Sequence, residues 1–197
     1  MGVVNWTKLP VLTERVLDIQ QLDSTKQISF KGNISILCFV GNDIEMAKGG
    51  VFNVNQKIYK DFYGYQAFQA VAIYPISRQS QITELQKKLG QFTDMTKWKF
   101  VGLSNKQITT LFKSLNTNKT LTDGYSNLIF IIDKDLKLRG RKNDSDKSTD
   151  LLYGYNMNSV GELGDKMEDD VKVLLYEYRA AFKNKKKADR KKLNYES

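Results

Sequence analysis

Two nearly uninterrupted apolar runs, Ile34–Val40 (Ile-Ser-Ile-Leu-Cys-Phe-Val) and Phe68–Tyr74 (Phe-Gln-Ala-Val-Ala-Ile-Tyr), constrain this chain more than any other feature. A strand that is apolar at consecutive positions must be covered on both faces, the signature of a sheet sandwiched between helices. The segments around the runs supply those helices. Val51, Val54, Ile58 and Phe62 recur at helical spacing over Val51–Phe62, with Gly64 as a stop. Ile82, Leu85 and Leu89 mark a helix over Ile82–Phe92, and Ile108, Leu111, Phe112 and Leu115 another over Lys106–Leu115, with a third strand at Trp98–Leu103 between them.

The second half changes character. Leu128–Asp133 and Leu136–Arg141 flank Lys134 and Asp135, a polar pair suited to a tight hairpin. A last helix from about Ser159 carries Val160, Leu163, Met167, Val171, Leu174, Tyr178 and Phe182 as one stripe. The predicted order is β-α-β-α-β-α-β-β-α. Alternating strands and helices imply parallel neighbours with right-handed crossovers, and the hairpin adds antiparallel strands. The expected fold is α/β: a thioredoxin-like mixed sheet with helices on both faces, a long N-terminal lead-in and a C-terminal amphipathic helix. Residues 1–26 form the lead-in, 27–182 the domain, and 183–197 a basic tail expected to be disordered.

Charge follows that division. Of the formal +9, residues 183–197 hold +5, from seven basic side chains against Asp189 and Glu196, which leaves +4 for the body. No run of about 18 apolar residues appears, and Met1–Pro10 lacks the basic-then-apolar pattern of a secretory signal. Taken as written, this reads as a cytosolic chain.

The element order, the lead-in and the hairpin Asp133-Lys134-Asp135-Leu136-Lys137-Leu138-Arg139-Gly140 resemble the SCO/SenC family of thioredoxin-like copper and redox proteins over roughly Leu9–Phe182. The resemblance implies a protein on the periplasmic side of a bacterial inner membrane, held by an anchor outside these residues. Its implied partners are other envelope proteins, an oxidase subunit or a cysteine-bearing SCO-like protein. Family members carry C-x-x-x-C after the first buried strand and a histidine before the hairpin strand. In this chain Asp43 and Ala47 fall at about the cysteine positions, and Asp123-Gly124-Tyr125-Ser126 stands where the histidine belongs. The chain has one cysteine, Cys38, and no histidine. Thiol exchange needs an attacking and a resolving thiol, and soft metals need thiolate, thioether or imidazole donors. The expectation is therefore no cofactor, no metal and no catalytic residue, in a protein that binds or assembles others.

The remaining candidates each have a plainer reading. Cys38, mid-strand, reads as buried and inert, against an alternative thiol peroxidase or oxidoreductase using it. Asp43, Glu45 and Met46 read as a solvated loop or as a cation contact, and Asp43, Glu45, Asp123 and Tyr125, with Arg139 and Arg141, as candidates for a partner contact. Asp144, Asp146, Ser148 and Asp150 alternate like the start of a calcium loop, but Thr149 and Tyr155 stand where glycine and glutamate are needed. Arg139 and Arg141, on alternate strand positions, point to one face and read either as surface charge or as a fork for carboxylate or phosphate, with Tyr125, Tyr153 and Tyr155 near the same end. In the tail, Lys185, Lys186, Lys187, Arg190, Lys191 and Lys192 offer a contact to a polyanion, RNA, DNA or anionic lipid, although no aromatics interleave and nucleic acid is not favoured.

Overall fold

The computed structural model describes residues 8–142 and 151–193, with side chains to residue 183. The two apolar runs are adjacent parallel strands, β2 (Ile34–Val40) and β3 (Phe68–Pro75), in register from Ile34 opposite Phe68 to Phe39 opposite Ile73. Strand β4 (Trp98–Leu103) continues the parallel set, and β5 (Tyr125–Ile132) lies antiparallel on the other side of β2. The lead-in strand β1 (Val11–Thr13) and the hairpin strand β6 (Leu138–Arg139) complete the path β1-β6-β5-β2-β3-β4. Short strands β7 (Arg141–Lys142) and β8 (Leu151–Leu152) pair with each other, and β9 (Tyr155–Asn156) pairs with β5.

Alternation along the strands divides the core in two. Ile36, Cys38 and Val40 of β2 face α2 (Ile44–Val54), α4 (Gln79–Gly90) and α7 (Glu168–Leu193), whereas Leu37 and Phe39 face α1 (Ile19–Leu22) and α5 (Asn105–Ser114). Helices therefore cover both faces, as the unbroken apolar runs require.

Several boundaries differ from expectation. The helix after β2 starts at Ile44, not Val51, because the Asp43 carboxylate accepts the Met46 amide at 3.0 Å and caps it. Gly49 and Gly50, which resemble a loop, lie inside α2. A Cβ on Gly50 would stand 2.7 Å from the Met157 Cγ, so the missing side chain is a packing requirement. The helix continues through a π-helical segment, Asn55–Tyr59, into α3 (Lys60–Phe62). The hairpin turn spans Asp133–Lys137 rather than two residues, with Leu136 at φ 64° and the Asp133 carboxylate accepting the Asp135 and Lys137 amides. A one-turn helix, α6 (Val160–Glu162), and a second π segment, Leu163–Met167, precede α7. Helix α7 runs on to Leu193, so most of the segment expected to be a disordered tail is helical. Phe182, expected on the buried stripe, is exposed.

Candidate functional site

The carboxyl ends of parallel strands are where an open α/β sheet presents its crevice. At that edge the β2–α2 connection meets the loop before β5. Gly41 leaves β2 at φ 74°, and a Cβ there would stand 2.6 Å from the Tyr125 Cβ, so only glycine admits this approach. The Asn42 amide donates to the Asp123 carbonyl at 3.2 Å, and Asn42 Nδ2 donates to Asp123 Oδ1 at 2.7 Å. Asn42 and Asp123 thereby form a ridge between two recesses. One, of about 360 Å³, is lined by Asp43, Ile44, Glu45, Arg78 and Gln81 as well as the ridge. The other, of about 250 Å³, reaches Asn105, Ile108, Thr109 and Leu121.

The first recess gathers unlike charges that do not pair with one another. Arg78, just after β3, donates from Nε to Asn42 Oδ1 at 3.4 Å and makes no ion pair among the described residues. Glu45 is held by Lys48 at 3.2 Å, an exposed pair of small energetic value. Asp43 faces solvent while capping α2. The structure thus brings Asp43, Glu45 and Asp123 together, while Tyr125 packs against Gly41 and its hydroxyl accepts from Asn158 Nδ2 at 3.3 Å. Arg78 and Asn42 were missed by sequence reasoning. Arg78's position three residues beyond the proline that closes a parallel strand was the available signal.

Arg139 and Arg141 are a correction. Neither is a free surface fork. Arg139 is 6 % exposed, donating to Asp133 at 2.8 Å, to Glu177 at 2.5 Å and, from Nε, to the Leu9 carbonyl at 2.9 Å. Burial opposes its charge, but the Glu177 and Asp133 hydrogen bonds outweigh that and hold its pKa above the ordinary value. Arg141 pairs with the buried Asp170 at 2.7 Å, and Tyr155, fully buried, donates to the same carboxylate at 2.5 Å. These groups fasten the hairpin and α7 together. The calcium-like Asp144–Asp150 stretch lies outside the described residues, as do the side chains of Lys185, Lys186, Lys187, Arg190, Lys191 and Lys192.

Cys38 lies in β2 opposite Ala72 and Ile129 with no exposure, and burial pushes its thiol up to about 12. Asp43 and Ala47, at about the family's cysteine positions, are a cap and a buried helix residue. An oxygen donor, a methyl group and the Gly124–Tyr125 turn do not fit a copper ion, which takes thiolate and imidazole. Among the described residues no group of three or more carboxylate, thiol or imidazole side chains converges as metal ligands.

No protein-family profile and no curated protein sequence matches the chain. Solved structures do match. BsSco, a member of the Sco family of cytochrome c oxidase assembly proteins, superimposes with a TM-score of 0.53 at 15% identity, over 84% of this chain and 94% of that one. A candidate protein disulfide isomerase from Bacteroides thetaiotaomicron gives 0.51 at 13% identity, over 91% and 96%. A SCO1/SenC family lipoprotein from Bacillus anthracis str. Ames gives 0.49 at 18% identity, over 87% and 96%. The fold is thioredoxin-like, shared with Sco-family proteins and thioredoxin-like oxidoreductases, and the chain lacks the C-x-x-x-C motif.

Proposed function

We propose that the protein is a Sco-like thioredoxin-fold binding protein that has given up redox and metal chemistry and holds a partner protein in the cleft at the carboxyl edge of its sheet. The observation that carries this reading is the pairing of an inert Cys38 with a cleft that keeps its shape. The β2–α2 and pre-β5 loops are locked together by Asn42 and Asp123, while Asp43 and Ala47, at about the positions of the family's cysteines by the sequence resemblance, offer no thiol. An Arg78 guanidinium with one long hydrogen bond, beside three carboxylates, suits a polypeptide segment bearing both signs of charge. By likeness to BsSco the partner is a protein of cytochrome c oxidase assembly, and the SCO/SenC resemblance of the sequence puts their meeting on the outer face of a bacterial inner membrane. No helix among the described residues is long and apolar enough to cross a membrane.

A photo-crosslinker replacing Gln81 in the cleft, compared with one replacing Thr109 in the neighbouring recess and one at Lys113 on α5, tests this in the native host. The expected outcome is a crosslink to an oxidase subunit or a cysteine-bearing Sco-like protein from Gln81, weakened at least tenfold by Arg78→Glu and absent from Lys113. Disulfide reduction of insulin at a rate abolished by Cys38→Ala would overturn the reading.

A further inference from the structure

The opposite edge of the sheet carries a second feature that the cleft does not use. The last fully buried position of α7 is Leu174, and residues 179–183 are exposed, yet the helix runs on to Leu193. At about 1.5 Å per residue the stretch after Lys183 adds roughly 15 Å of helix. It contains Lys185, Lys186, Lys187, Arg190, Lys191 and Lys192 against Asp189 alone. At its root lies a groove of about 820 Å³ with an apolar floor that includes Ile34, Ala67 and Leu175. Its charged lining is cationic only: Lys134, Arg179 and Lys183.

Two of these cations are held on aromatic faces, Lys134 at 4.9 Å from the Tyr178 ring and Arg179 at 5.0 Å from the Tyr65 ring. Phe182 and Tyr176 are 59 % and 75 % exposed on the same helix. Cations beside an apolar recess and outward aromatics match a layer of anionic headgroups over acyl chains, into which aromatic rings dip while lysine and arginine stay at the phosphates. A nucleic-acid backbone would satisfy the cations but leave the apolar floor without a partner.

We infer that the groove beside α7, with Lys134, Arg179, Lys183 and Phe182 on its rim, is a peripheral binding surface for an anionic phospholipid bilayer. The test is sedimentation of the full chain with vesicles of phosphatidylglycerol and phosphatidylcholine, against vesicles of phosphatidylcholine alone, over rising salt. Binding is expected only to the anionic vesicles, weakening with salt, and falling about tenfold or more in the double variant Lys134→Glu/Arg179→Glu and severalfold in Phe182→Ser. Unchanged circular dichroism and denaturation midpoint show that the variants fold. Equal binding to both vesicle types, insensitivity to the groove variants, or tighter binding to duplex DNA at matched phosphate concentration would each overturn the assignment. The surface is separate from the cleft, so failure here leaves the crosslinking result untouched.

Discussion

At Cys38, burial in the middle of β2 keeps the thiol protonated and packed. Its ordinary pKa near 9 is pushed up to about 12 by burial, so the native chain keeps a proton that the unfolded chain releases above about pH 9. The sign follows: this contribution to stability is complete below pH 9 and is lost as pH rises towards 12. Denaturation midpoints of Cys38→Ala should therefore fall less steeply between pH 9 and 11 than those of the parent. A residual slope remains from Tyr59, Tyr74 and Tyr178, whose pKa values burial also raises. Arg139 is the other residue whose surroundings decide its role. Arg139→Met removes one guanidinium and leaves the buried Asp133 and the partly buried Glu177 without it, which should cost about 3–5 kcal/mol in urea unfolding.

Among the elements, the junction of β6 and β7 is the tightest. Gly140 donates its amide to the Pro10 carbonyl at 3.1 Å, and a Cβ on it would run into the Leu152 carbonyl and stand 2.6 Å from Leu12 Cδ1. Gly140→Ala should push β1 and β8 off the hairpin, seen as faster amide hydrogen exchange in Val11–Thr13 and Leu151–Leu152 with β2 and β3 still protected. The three parallel strands, β5 and the helices between them were legible because each carries its own period, apolar on every residue or on every third and fourth. The start of α2 was not, since Gly50 obeys Met157 and Asn158, more than a hundred positions away. Strands β7 to β9 are two residues each, too short for any period.

At the scale of the whole molecule, Asp43, Glu45 and Asp123 could be placed from sequence because strand order alone brings those two loops to one edge. Arg78 could not, because its approach to Asn42 depends on the path between β3 and α4. The burial of Arg139 was equally hidden, because its partner Glu177 arrives from α7, 38 positions on. Strand β2 begins at the groove, where Ile34 lines the floor, and ends at the cleft, where Asn42 forms the ridge. Seven residues at about 3.3 Å each make that strand a ruler of roughly 23 Å. With the groove against a bilayer, the cleft opens away from the lipid at about that height. Partners would then be sorted by reach before any side chain is read: a segment lying flat on the surface passes underneath, and one that stands two nanometres clear of it is met.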